Sequence, residues 1–223
     1  MVHYLKKVKG TSNCVIGVDL DNTIIEYNDT IYKTAIGLGL IPSNIEKSKN
    51  IIRDHIRNLP NGEIEWQKIQ AIVYGPRIVD AKLIDEVKTF FWLCKKNKIL
   101  VYIISHKTQY SNLYKSGTNL RESALMWMDK NDLFNSKYGL TRDMVYFEST
   151  KDEKINRIIS LGCTHFIDDM EEVFSSAAFP RNVEKILYNP LPIAKNHNHK
   201  YKTDLRIFNS WGGINNYFFY GNK

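Results

Sequence analysis

The stretch Val15-Ile16-Gly17-Val18-Asp19-Leu20-Asp21-Asn22-Thr23 decides the fold of this chain. Its first four residues are apolar or small, and the β-branched residues among them favour a buried strand. The run stops at two carboxylates, Asp19 and Asp21, which are two positions apart. Ligands of open α/β sheets bind beyond the carboxyl ends of the strands, and burying an unpaired charge is costly. The two acids are therefore predicted to serve a metal ion, phosphoryl chemistry, or both.

The composition is typical of one large folded domain, or of a domain that carries a smaller insertion. The chain has 223 residues, of which 43% are hydrophobic. No stretch approaches the roughly 20 apolar residues that span a bilayer, and the basic N-terminus lacks the apolar run of a secretory signal. The three cysteines (Cys14, Cys94 and Cys163) are far apart in apolar segments, which favours reduced thiols. We therefore expect a cytoplasmic protein that contacts no membrane.

The formal net charge of +7 has two interpretations. Lysines cluster at Lys6-Lys7-Lys9 and at Lys95-Lys96-Lys98, and such clusters form solvated faces or attract anionic substrates and nucleic acid. Because no known nucleic-acid module accompanies them, no nucleic-acid partner is expected. A polar run near the C-terminus contains His197 and His199, and we interpret it as a solvated loop.

Strand and helix patterns alternate along most of the chain. Apolar runs predict strands at residues 14–19, 99–104, 144–147, 164–167 and 183–187. Helical spacing predicts helices at 80–96 and 120–128, a capping box at Thr150 to Glu153 opens a helix through Ile159, and Ser210 caps a last short helix through residue 219. This alternation predicts an α/β fold, a Rossmann-like parallel sheet sandwiched by helices.

The interval after the first strand is too long for a simple crossover. Asp21 and Ser105 are 84 positions apart, whereas a crossover needs about a dozen residues. Residues 28–77 are therefore predicted to form a small all-helical inserted domain, with helices at 30–38, 43–57 and 63–73, and residues 1–27 and 78–223 form the core domain. Because both ends of the insert return to the edge of the site, the insert suits a mobile lid; a rigid decoration is the alternative.

Polar and charged residues follow the strands of this pattern. Because carboxyl ends of parallel strands lie at one edge of a sheet, we expect the residues there to converge. The candidates are Asp19 and Asp21 after the first strand, Ser105 after the second, Lys151 or Lys154 at the start of the helix before the fourth, and Asp168 and Asp169 after the fourth.

This pattern resembles the haloacid dehalogenase-like (HAD) superfamily of aspartate-nucleophile phosphohydrolases. Its first motif, an apolar strand followed by Asp-x-Asp-x-Thr, is matched by Val18-Asp19-Leu20-Asp21-Asn22-Thr23. Its second motif is matched by Ile103-Ile104-Ser105, its third is a lysine, and its fourth is matched by Phe166-Ile167-Asp168-Asp169. The resemblance covers about residues 14–190, and the helical insert resembles the superfamily's cap after the first motif.

The resemblance implies hydrolysis of a phosphate monoester with Mg²⁺ as cofactor. Asp19 would be the nucleophile that forms an aspartyl phosphate, and Asp21 would protonate the leaving alcohol and then activate water. The implied metal ligands are Asp19, Asp21 through its backbone carbonyl, Asp168 and Asp169. Mg²⁺ suits this set because it prefers oxygen ligands and often takes only one or two carboxylates.

Further residues are expected to contact the phosphate or support the site. Ser105 would hydrogen-bond a phosphoryl oxygen, and the lysine would neutralise charge. Lys154 is favoured in that role because Lys151 falls at the exposed first helical position. Lys151 and Thr23 remain substrate-binding candidates, although Thr23 is also expected to hold the loop. His106 either faces the substrate or is a solvent-exposed loop histidine.

Three functions are compatible with these residues. The first is a phosphatase that acts on a small phosphorylated metabolite. The second is a phosphotransferase or phosphomutase that hands the same phosphoryl group to a sugar phosphate. The third is a non-catalytic binding protein on the same fold. A dehalogenase fits less well, because Asp21 and the metal-binding acids suit phosphoryl transfer better.

Overall fold

The structure, a computed structural model, describes residues 14–111, 113, 117–190 and 204–221. The basic cluster Lys6-Lys7-Lys9 and the loop with His197 and His199 lie outside the described residues. Within the described part of the chain, no helix is both long enough and apolar enough to cross a membrane.

The chain divides into two compact units. Of the described residues, the first unit comprises those within 14–24, 84–106 and 133–221, and the second comprises those within 25–83 and 107–132. The predicted insert of residues 28–77 lies within the second unit, which is larger than the insert because it includes a later segment. The predicted domain bounds themselves stay a prediction.

Strands and helices alternate along most of the described chain. The described residues form the strands β1 (Val15–Val18), β2 (Ile25–Glu26), β3 (Lys82–Leu83), β4 (Leu100–His106), β5 (Val145–Glu148), β6 (His165–Asp168), β7 (Glu184–Tyr188) and β8 (Leu205–Phe208). The α-helices are α1 (Asn28–Gly37), α2 (Lys49–Arg57), α3 (Gly62–Tyr74), α4 (Val87–Lys96), α5 (Leu120–Lys130), α6 (Lys151–Ser160), α7 (Glu171–Phe174) and α8 (Trp211–Asn215). A π-helix, Asn216–Tyr220, follows α8 directly, and short 3₁₀-helices cover Ile78–Asp80, Ser136–Tyr138 and Arg142–Met144.

The first unit is built on a parallel sheet of six strands in the order β5-β4-β1-β6-β7-β8. The strands at its centre are apolar because helices flank the sheet, and Ile16, Ile103 and Phe166 are fully buried. Gly17 in β1 leaves room for the Phe166 ring, since a Cβ atom at Gly17 would lie 2.6 Å from that ring. The predicted α/β fold class is confirmed.

The second unit consists of α1, α2, α3 and α5 together with the antiparallel pair β2 and β3. Its buried contacts include the edge-to-face pair of Tyr27 and Tyr74, with ring centroids 4.9 Å apart. The indole nitrogen of Trp127 in α5 donates to the carbonyl oxygen of Ala81 at 3.0 Å. At the boundary of the first unit, the Ile84 amide donates to the Ile24 carbonyl oxygen at 3.0 Å.

All five predicted strands form, and each of their ends lies within two residues of its predicted position. The predicted start of the helix at residue 80 was wrong, because Lys82–Leu83 pairs with Ile25–Glu26 instead. Glu86 then adopts a left-handed conformation with φ of 65°, so that α4 begins only at Val87. The predicted start at residue 43 was also wrong, because a turn follows Pro42 and Ser48 is extended before α2.

Candidate active site

The sheet order of the first unit brings three strand ends together. β1 lies between β4 and β6, and Val18 is paired with a residue of each. Asp19 follows β1 directly, Asp168 ends β6, and Ser105 lies next to the last residue of β4. The Asp19 amide donates to the Ile167 carbonyl oxygen at 2.8 Å, which extends the pairing of β1 and β6 to the site.

The side chain of Lys154 joins two of these carboxylates. Its Nζ lies 2.7 Å from Asp19 Oδ1 and 2.7 Å from Asp168 Oδ2. The Lys154 side chain is only 2% exposed and that of Asp168 is 0% exposed. The other carboxylate oxygen of Asp168, Oδ1, accepts a hydrogen bond from the Met170 amide at 2.9 Å. These contacts hold the Asp168 carboxylate at both of its oxygens and the Asp19 carboxylate at Oδ1.

The start of α6 places Lys154 in this position. The Thr150 side chain accepts from the Glu153 amide, and the Glu153 side chain accepts from the Thr150 amide, so the predicted capping box is confirmed. Lys151 is the first residue of α6 and is exposed, whereas Lys154 is one turn later and buried. Helix periodicity therefore separates the two candidate lysines, and only Lys154 bridges Asp19 and Asp168.

Burial and charge act on these groups in opposite directions. Burial lowers the pKa of Lys154, but the charges and hydrogen bonds of Asp168 and Asp19 outweigh it, so the pKa is raised overall. Burial raises the pKa of the Asp168 carboxyl to about 6, although the Lys154 ammonium opposes this shift. Lys154 is therefore a fixed positive charge that holds two buried carboxylates together.

Three carboxylates of the site are close enough to share one cation. One oxygen each from Asp19, Asp168 and Asp169 lie within 4.8 Å of one another, and no other such group occurs among the residues that the structure describes. Three carboxylates and the Lys154 ammonium have a formal net charge of −2, which matches a divalent cation. The all-oxygen donor set fits Mg²⁺. The carboxylate of Asp21 does not belong to this cluster.

Ser105 has a buried hydroxyl without a hydrogen-bond partner among the described residues. The residue is 1% exposed, and its Oγ has no hydrogen-bond partner in the part of the chain that the structure describes. A buried polar group left unsatisfied costs about 1–3 kcal/mol. An oxygen of a bound ligand would supply the missing partner, which is the role that the sequence predicts for Ser105.

Two other predicted residues lie in different surroundings. His106 is exposed, and its Nε2 lies 3.0 Å from the Ser149 carbonyl oxygen, so the ring is held by main chain just beyond the end of the neighbouring strand β5. Thr23 is 0% exposed, and its hydroxyl donates to Asp19 Oδ2 at 3.4 Å. The contact of Thr23 favours its loop-holding role over direct substrate binding.

Sequence reasoning missed one residue that contacts the loop after β1. The indole nitrogen of Trp211 donates to the Thr23 carbonyl oxygen at 2.8 Å, across a sequence separation of 188 residues. Trp211 lies beyond residues 14–190, which the resemblance covers, and no local spacing links it to Thr23. The serine before it, Ser210, was the only signal, because it predicts the start of α8.

Comparisons with known proteins bear on the fold. No protein-family model matches the chain, and no curated protein matches it in sequence. A haloacid dehalogenase-like hydrolase from Streptococcus pneumoniae is similar in structure, with a TM-score of 0.58, 15% identity, and coverage of 93% of this chain and 99% of that one.

Two further solved structures agree with this comparison. A haloacid dehalogenase-like hydrolase from Bacteroides fragilis has a TM-score of 0.56 and 14% identity, and covers 90% of this chain and 98% of its own. A HAD hydrolase of family IA, variant 3, from Entamoeba histolytica has a TM-score of 0.54 and 12% identity, and covers 91% and 95%. The likeness extends over nearly the whole chain and concerns the fold. The chain therefore has the haloacid dehalogenase-like fold.

Proposed function

We propose that this chain is a Mg²⁺-dependent phosphatase that hydrolyses a small phosphorylated metabolite through an aspartyl phosphate on Asp19. The observation that carries the proposal is the buried Lys154 ammonium between Asp19 and Asp168, with an oxygen of Asp169 within 4.8 Å of theirs. Because the cost of desolvating such a set of charges offsets most of the stability that their attraction contributes, a functional role explains the cluster better than stability does.

The first chemical step uses Asp19 and Asp21. A carboxylate oxygen of Asp19 attacks the phosphorus atom of the monoester, and the bond from phosphorus to the alcohol oxygen breaks. Asp21, in its protonated form, gives its proton to the departing oxygen. Lys154 orients Asp19 for this attack, because its ammonium lies 2.7 Å from Asp19 Oδ1.

The second step reverses the role of Asp21. The Asp21 carboxylate takes a proton from water, and the water oxygen attacks the phosphorus of the aspartyl phosphate. The bond from phosphorus to the Asp19 oxygen then breaks, which releases inorganic phosphate and restores both acids. The Ser105 hydroxyl, unpartnered among the described residues, donates to a phosphoryl oxygen throughout.

Asp19, Asp168 and Asp169, with the backbone carbonyl of Asp21, would hold the Mg²⁺ ion. When bound, Mg²⁺ offsets the repulsion between the substrate phosphate and the carboxylate nucleophile. The donor set supports phosphoryl transfer over dehalogenation. A phosphate monoester carries negative charge that a bound cation offsets, whereas a halogenated substrate has no phosphate group and needs no such cation. A small substrate is proposed because the helical insert resembles a cap.

Hydrolysis of p-nitrophenyl phosphate tests the proposal directly. We expect turnover with Mg²⁺, loss of turnover with excess EDTA, and a decrease of at least about 1000-fold in Asp19→Asn, because the nucleophile is lost. Asp143→Asn, at an acid outside the cluster, is the matched control and should keep the wild-type rate. No turnover by the wild type across a panel of phosphorylated metabolites, or unchanged turnover in Asp19→Asn, would contradict the proposal.

The acceptor of the phosphoryl group is tested by product analysis. In ¹⁸O-labelled water, hydrolysis places one labelled oxygen in the released phosphate. A phosphotransferase or phosphomutase would instead give a new phosphorylated sugar without label in its phosphoryl group. We expect labelled phosphate as the main product.

A further inference from the structure

We propose that Trp211 is a positioning residue for the loop that carries Asp19 and Asp21, acting through the carbonyl of Thr23. The inference rests on the proposed function of this loop. It assigns a role at the site to α8, which lies beyond the residues that carry the sequence motifs.

Two hydrogen bonds connect Trp211 to the candidate nucleophile. The Trp211 indole N–H donates to the Thr23 carbonyl oxygen at 2.8 Å. The hydroxyl of the same Thr23 donates to Asp19 Oδ2 at 3.4 Å. Asp21 lies between Asp19 and Thr23 in sequence, so a movement of Thr23 also moves the candidate acid and base.

The loop is a tight turn of defined shape. Asn22 adopts a left-handed conformation with φ of 61°, which asparagine tolerates better than most residues other than glycine. The Ile24 amide closes the turn on the Leu20 carbonyl oxygen at 2.9 Å. Thr23 itself is 0% exposed, so in the intact protein the indole donates to its carbonyl without competition from bulk solvent.

Trp211 is itself held firmly. It is 1% exposed, and its ring packs against Phe90 with centroids 5.0 Å apart and against Tyr188 with centroids 6.2 Å apart. The Ser210 side chain caps α8 by accepting from the Gly213 amide at 3.2 Å. Because the ring is fixed by α4 and β7, its N–H is a rigid donor towards the loop.

Trp127 offers a matched control within the same chain. It is also fully buried, and its indole N–H also donates to a backbone carbonyl, that of Ala81, at 3.0 Å. That bond lies in the second unit and involves no residue of the candidate site. Replacement of either tryptophan by phenylalanine therefore removes one buried indole donor from one carbonyl.

The test compares Trp211→Phe with Trp127→Phe in the full chain. We expect both variants to lower the midpoint of thermal unfolding. With the best substrate of the wild type and Mg²⁺, kcat should fall about tenfold or more in Trp211→Phe and stay within about twofold in Trp127→Phe, because small displacements of reacting groups are costly. KM should change less than about twofold in both, since neither tryptophan is proposed to contact substrate. Equal kcat values would overturn the inference.

A second replacement removes the donor alone. 3-Benzothienylalanine has sulfur in place of the indole N–H and nearly the same shape, so the packing against Phe90 is retained even where Trp211→Phe does not fold. We expect the same decrease in kcat when it replaces Trp211, and no decrease when it replaces Trp127. An undiminished kcat at position 211 would overturn the inference.

Hydrogen exchange separates this inference from the proposed function. We expect the amides of residues 20–24 to exchange faster, by about tenfold or more, in the Trp211 variants than in the wild type, and at the wild-type rate in the Trp127 variants. A wild type without phosphatase activity that still shows this difference refutes the proposed function while leaving the anchoring of the loop intact. Unchanged exchange at residues 20–24 overturns the anchoring itself.

Discussion

Replacing Lys154 by methionine should destabilise the metal-free protein by about 3–5 kcal/mol, the usual effect of removing one partner of a buried ion pair. The ammonium lies 2.7 Å from a carboxylate oxygen of both Asp19 and Asp168. Without it, two buried carboxylates with oxygens no more than 4.8 Å apart lose their common counter-charge. At an effective dielectric constant of about 20, two unit charges at that distance repel by about 3.5 kcal/mol, which lies within this range.

The assay is urea unfolding with EDTA present, followed by the same measurement with Mg²⁺. Lys151→Met is the control, because Lys151 is exposed on the same helix and its replacement should change the free energy of unfolding by less than about 0.5 kcal/mol. Mg²⁺ should stabilise Lys154→Met more than the wild type, since the cation would meet three carboxylates and no ammonium. Turnover should be lost in Lys154→Met and kept in Lys151→Met.

An equal loss of stability in the two variants, together with wild-type turnover in Lys154→Met, would refute the reasoning. It would mean that the bridge between Asp19 and Asp168 does not hold in solution. A loss of turnover in Lys151→Met alone would assign the third-motif role to the other lysine.

Three further predictions concern individual groups. Ser105→Ala should stabilise the free protein by about 1–3 kcal/mol in urea unfolding, because it removes a buried hydroxyl without a partner among the described residues, and should lower kcat/KM in the phosphate-release assay. Mg²⁺ at about 100 times its dissociation constant should stabilise the wild type by about 2.7 kcal/mol in thermal unfolding, and Asp168→Asn should lose most of that gain. Iodoacetamide at pH 8 should modify Cys14 before Cys163, as followed by peptide mass spectrometry, because Cys163 is 3% exposed and burial raises its pKa to about 12.

Local sequence patterns were sufficient for most of the sheet and for the choice of lysine. The central strands β1, β4 and β6 each contain a short apolar run that ends next to a polar residue, and burial on both faces makes this signal strong. The capping box at Thr150 fixed the start of α6, and the helical period then separated Lys154 from Lys151. The sequence also placed Asp19, Ser105 and Asp168 at one edge of the sheet, because the carboxyl ends of parallel strands lie together.

Non-local contacts account for what the sequence did not predict. The pairing of Lys82–Leu83 with Ile25–Glu26 delays α4, although the side-chain pattern there is helical. β8 is a short edge strand interrupted by Arg206, so its apolar signal is weak. The bond from Trp211 to Thr23 joins residues that are 188 positions apart, and a single tryptophan carries no periodicity.

The hydrogen bond between the Ile84 amide and the Ile24 carbonyl has a consequence for how this chain tolerates change. The segment between these residues leaves and rejoins the first unit at points that touch. Since the entropic cost of closing a loop grows only slowly with its length, that segment can be lengthened, shortened or exchanged with little penalty to the sheet. A chimaera that carries another protein's segment between residues 24 and 84 should therefore keep the six-stranded sheet and the buried Lys154 cluster.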